Sequence, residues 1–197
     1  MKMDWKKTCN VPNALTMLRM LMIPLYIVLF CNGNKYWALC TFVVAGLTDV
    51  LDGMIARKYN LITDFGKLMD PLADKLMVIT VMFSLAIGSP QIPPVMPWAV
   101  LLVILGKELL MMLGGLMMLG RHIVVYSKPI GKAAQALLTV GLVAAFFHNE
   151  LAGVWRFSVS PDVLLLYLAM VLTLAALVFY AHSCVVQLRA GKTKNGS

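Results

Sequence analysis

Six apolar runs, each long enough to cross a bilayer, follow one another along the chain and leave little room for another architecture. A spanning helix needs about 20 mostly apolar residues. The runs cover roughly Asn13 to Phe30, Tyr36 to Arg57, Gly66 to Ile87, Trp98 to Leu119, Pro129 to Phe147 and Pro161 to Val186. Asn32-Gly33-Asn34, Gly88-Ser89-Pro90 and the cluster of Pro93, Pro94 and Pro97 separate them, and Pro24 predicts a kink within the first. Of the 197 residues, 60% are hydrophobic and 13% charged, whereas soluble domains run near ~45–50% and ~25%. A soluble globule of this length would have to wear the surplus on its surface. The expected fold is an all-α integral membrane protein with six transmembrane helices. One membrane domain covers residues 13–188, after a short N-terminal interfacial segment over 1–12 and before a polar tail over 189–197.

Lys and Arg asymmetry sets the expected orientation. With the N-terminus cytoplasmic, the cytoplasmic segments carry Lys2, Lys6, Lys7, Arg57, Lys58, Lys67, Arg121, Lys128, Lys132, Arg189, Lys192 and Lys194. The opposite loops carry Lys35 and Arg156. Both termini are therefore expected inside. No small-residue cleavage site follows the first run, so it reads as a retained helix, and the absence of a transit-like leader points to a bacterial cell membrane. Trp5, Trp37, Trp98 and Trp155 fall near predicted span ends, as an interfacial aromatic belt requires. The net charge of +8 is concentrated outside the apolar runs and serves topology; no basic, aromatic-interleaved patch is present, which excludes nucleic acid as a partner. Cys9, Cys31, Cys40 and Cys184 have no metal or redox spacing and read as small buried apolar residues. His122, His148 and His182 have no partner at ligand spacing and read as interfacial polar residues. Gly114-Gly115, set among methionines, reads as helix packing.

The acids carry the chemistry. Five of the nine fall in one window, Asp49, Asp52, Asp64, Asp70 and Asp74, and carboxylates within a membrane default to function because they are costly there. Asp49, Asp52, Gly53 and Ala56 share one face of the second helix, and Gly66, Asp70 and Asp74 one face of the third. A short connection makes these helices antiparallel neighbours, so the two faces converge near the cytoplasmic surface. Four convergent carboxylates repel unless divalent cations neutralise them. With no imidazole or thiolate in the set, Mg²⁺ or Mn²⁺ is favoured over zinc. Gly53 and Gly66 allow close backbone approach by a bulky ligand, and Arg57 can grip a phosphate bidentately. Asp64 reads as a helix-end ion-pairing residue. Two other readings stay open on the residues alone: structural ion pairs with Arg57, Lys58, Lys67 and Lys75, and a divalent metal transporter using the same carboxylates.

Written out, Asp49-x2-Asp52-Gly53-x2-Ala56-Arg57-x8-Gly66-x3-Asp70-x3-Asp74 resembles the signature of the CDP-alcohol phosphatidyltransferases at every fixed position. Asn10-x-Pro12-Asn13-x-Leu15-Thr16-x2-Arg19 and Asp70-Pro71-Leu72-Ala73-Asp74-Lys75 look like the branch that contains phosphatidylglycerophosphate synthase and the CMP-forming cardiolipin synthase. The resemblance implies a six-helix membrane fold, usually homodimeric, whose donor is the membrane lipid CDP-diacylglycerol. It implies two divalent ions held by Asp49, Asp52 and Asp70, with Asp74 the general base and also a possible ligand. Gly53, Ala56, Arg57 and Gly66 would hold the cytidine diphosphate.

Glycerol 3-phosphate as acceptor would need cations near the metals. Arg19, Lys107 and Lys132 are the expected acceptor-binding residues; lipid-headgroup snorkelling is the alternative for Arg19, and neutralisation by Glu108 for Lys107. Arg121 and Lys128 serve the charge asymmetry in any case. Three departures point the other way. Lys107-Glu108 stands where phosphatidylglycerophosphate synthases usually carry Arg-Glu, Gly115 where they usually carry another Arg, and Ala134-Gln135 replaces their usual Lys-Thr. Losing a guanidinium fork weakens the grip on a phosphate. Ala45-Gly46-Leu47-Thr48-Asp49 resembles the cardiolipin synthases, whose acceptor is phosphatidylglycerol. Phosphatidylglycerophosphate synthesis is the first expectation and cardiolipin synthesis the alternative.

Overall fold

Apolar residues recurring at three- and four-residue steps become seven helices among the described residues. They are α1 (Val11–Cys31), α2 (Lys35–Lys58), α3 (Asp64–Ile87), α4 (Trp98–Leu119), α5 (Pro129–Ala145), α6 (His148–Val154) and α7 (Pro161–Lys194). The computed structural model describes the backbone over 11–58, 64–119, 129–155 and 159–194, and side chains over the inner parts of these stretches. Six long helices fall on the six apolar runs, and α6 is an addition the hydropathy pattern did not announce. Most of the expected interfacial segment lies outside the described residues, although α1 already begins at Val11.

Contacts divide the chain into two compact units, Met1–Val95 and Met96–Ser197. In the first, α1 packs on both α2 and α3, and α2 packs on α3. Thr16, Arg19, Met22, Tyr26 and Phe30 form the buried stripe of α1, facing Ala38, Thr41, Phe42 and Ala45 of α2 and Ala73, Met77, Val81 and Leu85 of α3. Fully buried alanines at 38, 45 and 73 let the backbones approach closely, as membrane helices require when no solvent drives them together. The α1–α2 turn closes on Gly33 at φ 75°, where Asn34 N–H donates to Leu29 O at 2.9 Å. The opposite faces are apolar and outward: Leu21, Leu25 and Val28 on α1, and Val43, Leu47, Val50 and Leu51 on α2. Cys31 and Cys40 are free and also face outward, so the expectation that they are buried does not hold for these two. Hydroxyls on these helices turn back on their own backbone. Thr41, Thr80 and Ser84 donate to Trp37 O, Leu76 O and Thr80 O at 2.8–2.9 Å, which satisfies them without water.

In the second unit α7 packs against α4, α5 and α6. Its buried residues Asp162, Leu166, Ala169, Thr173, Ala176 and Tyr180 alternate steps of four and three, a coiled-coil-like seam. Ala134, Leu138, Gly141, Leu142 and Ala145 form the facing row of α5. A Cβ on Gly141 would stand 3.1 Å from Leu166 Cδ2, and one on Gly131 2.8 Å from the Tyr180 hydroxyl, so glycine sets how close α5 and α7 come. The expected fifth run to Phe147 is shortened. Phe146 N–H and Phe147 N–H reach back three residues to Val143 O and Ala144 O, α5 stops, and α6 leaves at 82°. α7 in turn runs on to Lys194, so the expected polar tail largely continues a helix.

Ala14–Cys31 and Pro161–Tyr180 are each long and apolar enough to cross a membrane, and the bent α5–α6 pair makes a third if it is a single broken span. With the described residues helical and their outward faces apolar, the chain is a membrane protein.

Candidate functional site

The aspartates occupy the two helices on either side of one short connection. Asp49 and Asp52 lie in the C-terminal half of α2, and Asp70 and Asp74 in the N-terminal half of α3. Because α2 packs on α3, the residues nearest the connection pair by depth. Asp52 is about 9 Å from the end of α2 and Asp70 about 9 Å from the start of α3; Asp49 and Asp74 are about 14–15 Å in, at 1.5 Å per residue.

Asp49 has the best-defined surroundings. Its Oδ1 lies 2.9 Å from an Arg19 guanidinium nitrogen, Nη1; the Arg19 side chain is 1% exposed and that of Asp49 is 37% exposed. The carboxylate thus sits at the margin of the three-helix unit, with one oxygen turned into it. Thr48, beside it, donates to Ala45 O at 2.7 Å. Asp74 is half-buried and follows the fully buried Ala73, which puts it beside the α3 seam. By backbone, Asp52, Gly53, Ala56 and Arg57 belong to α2 and Gly66, Asp70 and the expected structural Asp64 to α3; their side chains lie outside the described residues.

The expected acceptor residues divide between the units. Arg19 is in the first and buried against Asp49. Lys107 and Lys132 are in the second. Lys107 donates to its neighbour Glu108 on α4, and both are largely buried. Lys132 is exposed in the first turn of α5. Arg121 and Lys128 lie outside the described residues.

A polar contact that residue spacing did not reveal closes the α6–α7 corner. His148 Nδ1 is 2.8 Å from Asp162 Oδ2 and 3.3 Å from Ser160 Oγ, and Asp162 is 0% exposed. His148 is therefore an interfacial polar residue tied to a carboxylate. The 14-residue separation crosses a helix break, which no helical periodicity registers. An acid in the first turn of α7 was the available signal.

Comparison with known proteins matches residues 9–180 to the model of the CDP-alcohol phosphatidyltransferase family. A Bacillus subtilis protein named CDP-diacylglycerol–glycerol-3-phosphate 3-phosphatidyltransferase is 31% identical over 160 residues, covering 71% of this chain and 78% of that protein. Proteins of the same name from Rickettsia typhi and Pseudomonas fluorescens are 49% identical over 90 residues and 40% over 103. The matched segments take in 43% and 51% of this chain, and 50% and 51% of those relatives, so the chain spans about half their length. The match takes in α1 through α6 and most of α7, including both aspartate-bearing helices, and the chain belongs to the CDP-alcohol phosphatidyltransferase family.

Proposed function

We propose that this chain transfers a phosphatidyl group from CDP-diacylglycerol to the hydroxyl of glycerol 3-phosphate, releasing CMP and forming phosphatidylglycerophosphate. The observation that carries the reading is the aspartate series on the packed α2–α3 pair, at the family's spacing, within a chain whose family match spans 9–180. The names of the Rickettsia, Bacillus and Pseudomonas relatives support glycerol 3-phosphate as acceptor. Family membership removes the ground for a metal transporter.

The donor set fits hard divalent cations. It is carboxylate throughout, and at Asp49 one oxygen faces Arg19 while more than a third of the side chain is exposed. Asp49, Asp52 and Asp70 would hold two Mg²⁺ or Mn²⁺ ions, with Asp74 in reach as a further ligand. When bound, such ions neutralise the pyrophosphate of the donor and the charge growing on departing CMP. Gly53, Ala56 and Gly66 would let the backbone approach the cytidine diphosphate, with Arg57 on its phosphates. Asp74 takes the proton of the acceptor hydroxyl. The hydroxyl oxygen bonds to the phosphorus that carries diacylglycerol, and the bond from that phosphorus to CMP breaks. Base assistance of this kind contributes typically about 10²–10⁴-fold. Lys107 and Lys132 are proposed to contribute cationic charge toward the acceptor phosphate.

The same reading takes six helices as membrane spans: α1 to α4, the bent α5–α6 pair as one, and α7. Both termini and the aspartates then face the cytoplasm of a cell membrane, and the enzyme works as a homodimer. Donor acyl chains stay in the bilayer while the headgroup reaches the aspartates.

Gly115 in place of the usual arginine favours one second reading, the CMP-forming cardiolipin synthase. Purified protein given CDP-diacylglycerol and Mg²⁺ or Mn²⁺, with glycerol 3-phosphate or phosphatidylglycerol offered separately, decides between them by product mass. Phosphatidylglycerophosphate is expected. Cardiolipin as main product would install the second reading, and no CMP release with either acceptor would refute both.

A further inference from the structure

We infer that Arg19 is a positioning residue for Asp49 and does not bind the acceptor; this rests on the reading of Asp49 as a cation ligand. A guanidinium that is 1% exposed has given up nearly all its water, which is tolerable only against a partner of opposite charge. The structure supplies Asp49 Oδ1 at 2.9 Å from Arg19 Nη1. The pair is unequal: the cation lies on the buried stripe of α1, whereas the carboxylate is 37% exposed. Arg19 therefore holds one oxygen of Asp49 inward and fixes how the carboxylate is presented at the margin, where more than a third of its side chain is exposed.

Burial also sets what Arg19 can reach. A solvent-borne dianion needs a cation with surface to offer, and Arg19 has almost none. Its charge acts instead within the site. Four carboxylates near one another resist assembly when no metal is present, and one enclosed positive charge beside Asp49 offsets part of that repulsion. The planar fork of arginine also restricts how Asp49 can rotate, which a lysine point charge does less well. Orienting partners of metal ligands commonly account for about 10–100-fold in metal affinity.

The test compares wild type, Arg19→Gln and Arg19→Lys in detergent by Mn²⁺ titration, following the electron paramagnetic resonance signal of free Mn²⁺, and by steady-state kinetics. Arg19→Gln should weaken Mn²⁺ binding about 10–100-fold and raise the Mn²⁺ needed for half-maximal rate in parallel. The KM for glycerol 3-phosphate at saturating Mn²⁺ should stay within about threefold, since the phosphate does not meet Arg19. Arg19→Lys should recover part of the lost affinity. A raised KM for glycerol 3-phosphate with Mn²⁺ binding unchanged would overturn the inference and return Arg19 to the acceptor site. If Arg19→Gln does not fold, Arg19→Lys decides by the same two measurements. Mn²⁺ binding requires no turnover, so a wild type that binds Mn²⁺ yet releases no CMP would refute the functional reading and leave this inference standing.

Discussion

Gly88→Ala tests the turn that ends the aspartate-bearing helix α3. Gly88 has φ 80°, a left-handed conformation that costs an L-residue about 1–2 kcal/mol. A Cβ there would stand 2.9 Å from Ile92 O and 2.9 Å from Pro94 N, both backbone atoms with no rotamer to yield. The turn is also pinned: Ser89 N–H donates to Ile92 O at 2.8 Å, Ile92 N–H to Ser89 O at 3.1 Å, and Val95 N–H to Leu85 O at 2.9 Å. Relieving the overlap means losing one or more of these, each worth about 0.5–1.5 kcal/mol net. The expected destabilisation is about 2–4 kcal/mol, or a fall of about 5–15 °C in Tm for a chain of this size. The control is Gly153→Ala. Gly153 lies in α6 with nothing within 4 Å of its would-be Cβ, so the change should be neutral or stabilising by up to about 1 kcal/mol. Tryptophan-fluorescence melts of both variants in one detergent measure the difference. A Gly88→Ala melt equal to wild type would refute the left-handed turn.

Asp74→Asn should lower turnover by about 10²–10⁴-fold while CDP-diacylglycerol binding persists; CMP release and equilibrium lipid binding separate the two, and a wild-type rate would break the assignment. Asp49→Asn should in addition shift the metal requirement upward, visible in the Mn²⁺ dependence of rate. Asp162→Ala removes the enclosed carboxylate 2.8 Å from His148, costing about 1–3 kcal/mol; a melting temperature unchanged within 1–2 °C (about the scatter expected of such melts) would show that the corner contributes nothing. Gly141→Leu pushes into Leu166, 3.1 Å from the would-be Cβ, and should cost about 1–3 kcal/mol through overpacking of α5 on α7.

The long helices were legible because each is an apolar run bounded by residues that end helices, such as Gly33 and Gly88, both at positive φ. The corner at Phe147 was not. Nothing between Val143 and His148 is a proline or glycine, and the turn instead comes from backbone bonds shortening to three-residue steps with His148 anchored on Asp162 across the break. The placement of the aspartates on two packed helices was legible because their periodicity is helical and the connection short, so which helix each occupies and how far along it follows from counting residues. Arg19 was harder. Its place in an apolar run told of an unusual cation but not of its partner, because the distance from Arg19 to Asp49 is a matter of how α1 lies on α2, and no periodicity within either helix encodes that.

The depth register of α2 and α3 bears on what the site can hold. The outer pair of aspartates lies about 9 Å from the connection-facing helix ends and the inner pair about 14–15 Å. The two levels are thus separated by about 5 Å along the helices, so that under the proposed reading both would contribute carboxylates to one divalent-cation site. Arg19 contacts the inner level, through Asp49. A loop could present the same four acids to a soluble nucleotide. A helical hairpin instead holds them at two fixed depths, with an enclosed guanidinium against the deeper one.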